Sequence, residues 1–381
     1  MIVNSPVPTE QVIAEALRNQ IPIKDLPGVS IRNVQQQPEQ PFDISFELRS
    51  GPNKVQVMGE IKSTFSPRSL EEIAPWIQRL KSLRGDVAVA VIASALSPQA
   101  QAFCAQNGID FMDLAGNVSI NVPGKFTLQR SGMRARGISV PDAEGQRTIN
   151  VFSGRTSRIL RVLLEKPKSW TISDIARELT AESVRFREIA PGARIDFGIS
   201  LGSVSKAIAS LEDQLWVRRR GADIVVSEPS RLLQQWGEKY KERYRWRLRR
   251  SFQTNNPFGR DLQSITQGLE PLASSAYAFS GAIAASTEAS FVDIDVIDIF
   301  LSSTESDLKL RDLKSQSSIG PALRFIYPYD DGAFMYSKRI GKALVVSGVQ
   351  AYLDLHARGG RDLKQAEFLL SNSIQPRWGA A

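Results

Sequence analysis

Apolar residues along this chain change their spacing twice, and the changes divide it. Over the first ~130 residues strands and helices alternate. The pattern predicts a helix over Thr9–Gln20 and, after proline-rich connectors, a strand over Phe42–Leu48. Ser50-Gly51-Pro52-Asn53 marks a turn before a strand over Lys54–Lys62. A helix over Ser69–Leu83, an apolar strand over Val87–Ala93, a helix over Pro98–Asn107 and a short strand over Asp110–Met112 follow. Gly116-Asn117 supplies a tight turn into Val118–Asn121, with Asp113 placed to cap it. From Ser157 the spacing becomes helical, and in the last third strand signals return.

The middle stretch is the most specific. Ile199–Glu212 reads as a helix capped by Ser200, with Leu201, Val204, Ile208 and Leu211 on its buried face. Gly202, Ser203, Ser205 and Lys206 occupy the other face near the leading turn. Upstream lie the compact apolar helix Ser157–Glu165 and a second helix, Ile172–Leu179, capped by Thr171 with Asp174 three residues on. Downstream, Leu215–Val217 and Asp223–Val226 read as two strands around Arg218-Arg219-Arg220-Gly221-Ala222. Helix, helix, recognition helix and basic hairpin form a winged helix-turn-helix, whose third helix enters the major groove. Ala181–Gly198 lengthens the usual turn and is expected to bulge as a loop or short extra helix. The expected DNA-binding residues are Ser200, Gly202, Ser203, Ser205, Lys206, Arg218, Arg219 and Arg220.

Charge sharpens that reading. The net charge is +8, distributed as about +1 over residues 1–150, about +9 over 151–250 and about −2 over 251–381. A positive excess confined to one segment suits phosphate neutralisation. In Tyr240–Arg250 arginine interleaves with Tyr and Trp, which suits either phosphate contact with stacking or aromatic residues packed inward under snorkelling arginines. The Arg-, Gly- and Ser-rich stretch before the helices is equally consistent with phosphate contact and with a solvated linker.

A second constellation lies in the first third. Asp43 opens one strand, and Glu60-Ile61-Lys62 lies on the next, with Glu60 and Lys62 on one face. Two carboxylates, Asp43 and Glu60, could hold Mg²⁺ while Lys62 positions water or stabilises developing charge. In motif and element order this resembles the PD-(D/E)xK nuclease-like fold. A structural Glu–Lys pair on a strand face explains the same residues without cleavage, and many members of that fold serve as scaffolds.

The last third, 251–381, carries Ser280-Gly281 followed by an alternating strand, Asp293–Phe300, whose Asp293 and Asp295 suggest a degenerate nucleotidyltransferase-like α/β domain. Asp113-Leu114-Ala115-Gly116-Asn117, Ser200–Lys206, Tyr327–Gly332, Val345–Leu355 and the closing Gln375-Pro376-Arg377-Trp378 together resemble AbiEi-type antitoxins of type IV toxin–antitoxin systems. That resemblance implies a DNA-binding repressor of its own operon and a cognate toxin encoded nearby. Ala181–Gly198 and the nuclease-like first third depart from the classical members.

The remaining composition works by exclusion. One cysteine, Cys104, permits no internal disulfide and fits a reducing cytoplasm. With a single histidine, His356, a zinc hydrolase or Cys–His triad of the usual build is excluded, and His356 is expected on a helix surface. No apolar run reaches the roughly 20 residues that span a bilayer. The expected protein is therefore α/β and α+β and multidomain: a restriction-endonuclease-like domain over 1–132, a basic linker over 133–155, a winged helix-turn-helix with a basic C-terminal helix over 156–250, and a nucleotidyltransferase-like domain over 251–381. Its expected partner is double-stranded DNA, bound without a cofactor and without a membrane. A homodimer would read an inverted repeat, and Mg²⁺ is needed only if the protein is a nuclease.

Overall fold

The computed structural model describes residues 9–37, 42–62, 65, 67–83, 85–133, 150–248, 251–289, 294–304 and 307–379. The chain is of mixed α/β class and divides into two compact units, one of residues 1–148 with 213–215 and one of 149–212 with 216–381.

The first unit is a seven-stranded sheet ordered as the chain runs. After α1 (Thr9–Arg18), β1 (Val29–Gln36), β2 (Ile44–Ser50) and β3 (Asn53–Lys62) form an antiparallel meander. Helix α2 (Pro67–Leu83) crosses to β4 (Ala88–Ala93), and α3 (Pro98–Gln106) crosses to β5 (Asp110–Asp113). Both crossovers give parallel pairs, as a helical connection requires. β6 (Val118–Val122) and β7 (Phe126–Arg130) close the sheet antiparallel. Alternation sorts the side chains into two cores. Ile44, Val57, Ile61 and Ile92 pack with Ile13 and Leu17 of α1, while Val89, Val91 and Phe111 pack with Leu70 and Ile77 of α2 and Cys104 of α3. Gly59 is required where β3 passes its neighbours, because a Cβ there would lie 2.6 Å from Ile92 Cγ1 and 2.9 Å from Ile44 Cγ2.

The second unit begins with three helices, α4 (Ser157–Glu165), α5 (Ile172–Ile189) and α6 (Leu201–Asp213). The hairpin β8 (Val217–Arg220) and β9 (Asp223–Val226) follows, then the long α7 (Pro229–Leu248). Trp170 adds a backbone bridge to Ile224, so the segment before α5 lies against the hairpin. Thr171 caps α5 as expected, its Oγ1 accepting from the Asp174 amide at 3.1 Å.

Residues 181–198 are neither a loop nor a separate short helix. Their first half extends α5 to Ile189, and an irregular segment leads on to Ser200. The extension forms because it has its own anchors. Glu182 is buried, is paired with Arg185, and accepts from the Tyr336 amide at 2.7 Å. Ser183 Oγ accepts from the Phe197 amide at 2.8 Å, tying the returning segment to the helix.

The rest is a six-stranded mixed sheet. β10 (Phe252–Thr254) and α8 (Leu262–Leu269) precede β11 (Tyr277–Ser280), α9 (Gly281–Ser286) and β12 (Val296–Leu301). After α10 (Asp307–Arg311) come β13 (Ala322–Ile326), β14 (Lys338–Ile340) and β15 (Ala343–Val345). The strand order is β10-β13-β12-β11-β15-β14. α11 (Gly348–Arg358), α12 (Arg361–Leu369) and α13 (Gln375–Gly379) end the chain. α11 is buried over almost its whole length and packs on α7, α9 and α12.

One core runs through the helical segment and this sheet, joining Leu160, Ile208 and Trp236 to Phe300, Phe334 and Leu353. α4 is the pin between them. Residues 157–164 are all buried, including Arg158 and Arg161. Arg158 donates from Nε and Nη2 to both carboxylate oxygens of Asp330, at 2.8 and 2.7 Å, and from Nη1 to the Asp196 carbonyl at 2.8 Å. Removing one partner of such a pair strands the other charge away from water. Arg158→Ala is therefore expected to lower unfolding stability by about 3–5 kcal/mol, measured by urea denaturation. The paired change Arg158→Met with Asp330→Leu should recover most of that loss.

Candidate functional site

Two sets of sequence-selected residues are gathered by the fold. The first lies on α6 and the hairpin. Ser200 caps α6 with its Oγ, accepting from the Ser203 amide at 3.3 Å, and the two hydroxyls lie 2.9 Å apart. Val204, Ile208 and Leu211 are buried as their spacing predicts. Leu201 is not; it is 54% exposed. As the first helical residue it lies before the turn that packs, so the buried stripe starts at Val204. Gly202 and Lys206 are exposed, and Ser203 and Ser205 are half-buried between them. The leading turn thus presents hydroxyls, a bare backbone and one ammonium to solvent.

The hairpin carries its arginines in its first strand, where the sequence pattern placed them in the turn. Leu215 takes a left-handed φ of 60° and Trp216 stays outside the strand, so β8 starts at Val217 and contains all three arginines. Gly221, at φ 66°, makes the turn. Strand alternation places Arg218 and Arg220 on one face and Arg219 on the other. Arg219 Nε pairs with Glu212 Oε2 of α6 at 3.0 Å, which braces the hairpin against the helix. Among the described residues no ion pair engages Arg218, Arg220 or Lys206. In α7 Trp236, Tyr240 and Tyr244 take the inward alternative, buried in the core, and the side chain of Trp246 lies outside the described residues.

The second set lies at the end of β3. Ile44 pairs with Gly59, and the Asp43 amide donates to the Gly59 carbonyl at 3.0 Å, which sets Asp43 beside Glu60. Asp43 Oδ2 accepts from the Ile61 amide at 2.6 Å. Burial first, and the Asp43 charge second, push the Glu60 carboxyl above its usual range, while Lys62 opposes the shift. Glu10 of α1 adds a smaller push in the same direction, a contribution no strand motif could reveal. Lys62 is exposed, 5.5 Å from the Phe65 ring centroid. The arrangement brings two carboxylates and an ammonium to one strand end. Mg²⁺ commonly takes one or two protein carboxylates and completes its shell with water and phosphate, so the donor set suits it. No cluster of three or more His, Cys, Asp or Glu side chains fit for a metal occurs among the described residues.

Other sequence-selected positions resolve structurally. Asp113 accepts from the Asn117 amide at 2.9 Å and the Leu96 amide at 3.0 Å, capping its own turn and the one beside it. In the second sheet Asp293 lies outside the described residues, and Asp295 is exposed ahead of β12. The acid that β12 buries is Asp298, which accepts from Arg324 at 2.6 and 3.0 Å and from Arg358 at 2.8 Å. His356 is buried rather than on a helix surface; its ring packs against Gly237, and burial holds its imidazole below the usual value.

No family profile matches the chain, and no curated protein is similar to it. Among solved structures, one titled "Structure of EndoMS in apo form" is similar at 15% identity, over 29% of this chain and 47% of that one, with a TM-score of 0.21. A likeness of that size carries no argument about fold or activity. No helix among the described residues is long and apolar enough to cross a membrane.

The raised Glu60 carboxyl has a pH signature. A carboxyl whose folded pKa lies above its unfolded value favours folding while protonated and opposes it once ionised. Glu60→Gln is therefore expected to raise Tm by about 1–3 °C at neutral pH. The gain should shrink as pH falls through the range where the wild-type carboxyl protonates. Thermal unfolding across pH checks this.

Proposed function

We propose that this protein is a sequence-specific double-stranded DNA-binding regulator, with residues 156–250 acting as a winged helix-turn-helix. The observation that carries the reading is the exposed leading turn of α6, with Lys206, beside a hairpin whose Arg218 and Arg220 have no acidic partner among the described residues. In this reading Ser203, Ser205 and Lys206 meet base edges or adjacent phosphates. Arg218 and Arg220 lie on the backbone or in the minor groove, while Arg219 holds the hairpin in register. The AbiEi-type resemblance supports a repressor acting on its own operon, whose neighbouring frame would encode the toxin. As a dimer it would read an inverted repeat with half-sites one or two helical turns apart.

Footprinting on the DNA upstream of the gene tests the proposal. A protected inverted repeat is expected, and absence of any preferred site would overturn it. Arg218→Ala and Arg220→Ala should each flatten the log–log salt dependence of binding by about one unit. Lys206→Ala should relax discrimination between sequences, read from competition with mutated sites.

A second reading follows from the Asp43–Glu60 pair. In a restriction-endonuclease-like first domain these carboxylates would hold Mg²⁺, which polarises the phosphodiester when bound, and Lys62 would steady the negative charge developing there. Incubation of the protein with Mg²⁺ or Mn²⁺ and its footprinted DNA separates the two. The regulator leaves the DNA intact; the nuclease cleaves it and loses cleavage in Glu60→Ala.

A further inference from the structure

Arg161 has a guanidinium that its surroundings do not satisfy. It is 4% exposed, on the buried helix α4, and neither Nε nor Nη1 meets a hydrogen-bond acceptor. Its guanidinium carbon lies 5.0 Å from the Trp236 ring centroid, so one face is covered by an aromatic ring. Gly332 leaves room at its edge: a Cβ there would lie 3.2 Å from Nε.

Three acids lie close enough for their charge to act on Arg161, namely Asp330, Asp354 and Glu165. Each is committed elsewhere. Asp330 is held at both oxygens by Arg158 and also accepts from the Gly332 amide at 2.8 Å. Asp354 accepts from Tyr240 at 2.6 Å, from Gln350 at 2.8 Å and from Ser280 at 2.5 Å. Glu165 accepts from the Val349 amide at 3.1 Å and pairs with Arg377 at 3.3 Å. Burial drives the Asp354 carboxyl toward its neutral form. None of these acids hydrogen-bonds to Nε or Nη1 of Arg161, so the cation has no direct counter-ion among them. A buried guanidinium that cannot shed its proton calls for a counter-charge.

The same side chain lines a cavity of about 20 Å³, bordered by Ser157, Trp236, Tyr240, Tyr329 and Asp330. By that measure roughly 10–15 Å³ admits one water, so the occupant is of halide scale. Trp236 Nε1 and Tyr240 OH already donate to the Phe152 carbonyl and to Asp354, whereas Arg161 brings two unspent donors to the cavity. We propose that this cavity is a binding site for one small monovalent anion, chloride or a species of similar size, held by Nε and Nη1 of Arg161. The site is independent of the DNA-binding reading. It lies where α4, α7 and the Asp330 loop meet.

The test uses the full chain at constant ionic strength, with chloride replaced by gluconate, which is too large for the cavity. Thermal unfolding should show a saturable Tm rise on the order of 5 °C with chloride. Bromide and nitrate should substitute, and gluconate should not. The ³⁵Cl NMR line should broaden with protein and sharpen when bromide competes. Arg161→Met should unfold at a chloride-independent Tm and lose the broadening. Should that variant fail to fold, Ala333→Leu, which narrows the cavity wall and keeps the arginine, should weaken chloride binding at least tenfold. Wild-type protein with no saturable Tm response and no excess ³⁵Cl linewidth would overturn the proposal, leaving water as the occupant. A saturable response retained in both variants would place the anion elsewhere and overturn it equally.

Discussion

The Arg158–Asp330 pair is the contact on which the second unit depends. It joins the first helix of the three-helix segment to a loop of the C-terminal sheet, across 172 residues of sequence and largely shielded from solvent. An isolated amphipathic helix hides one stripe and leaves the other wet. α4 hides both sides, because Ile159, Leu160 and Leu163 serve the core while Arg158 and Arg161 are buried on the opposite side. A helix so enclosed cannot belong to a freestanding helical module. The three helices, the hairpin and the sheet therefore fold around one core.

Two buried acids of this unit follow the same rule of commitment. Asp298 on β12 is held by arginines from β13 and from the end of α11, so one carboxylate fixes a strand register and a helix terminus together. Asp354 on α11 gathers Tyr240 from α7 and Ser280 from the end of β11. Each acid lies where elements distant in sequence converge, and each is satisfied by donors from more than one of them. Such networks define the arrangement of parts more than they add to its stability.

How much was legible in the sequence follows from what each residue reports about itself. The period of Val204, Ile208 and Leu211 found α6, and the apolar run Ala88–Ala93 found β4, because in both the burial is encoded locally. β1 was hidden: an edge strand with Ile31 as its one fully buried residue has no alternation to read. The length of α5 was hidden for another reason. Its second half is anchored by Glu182 and Ser183 to residues far away or facing back, which makes a polar stretch look like a loop. His356 and Asp298 were misplaced or overlooked because polar type argues for solvent until the partner is known, and the partners come from α7, β13 and α11. The Asp43–Glu60 pairing was legible because one hairpin register sets it, whereas the contribution of Glu10 depends on where α1 packs.

The enclosure of α4 also limits how this unit can respond to anything it meets. A helix on a slack tether can pivot by small degrees, and its displacement is graded. Here α4 is wedged into a close-packed interior, and such interiors yield by exchanging one packing for another rather than by bending. A displacement of α4 against the C-terminal sheet is therefore a step rather than a slide.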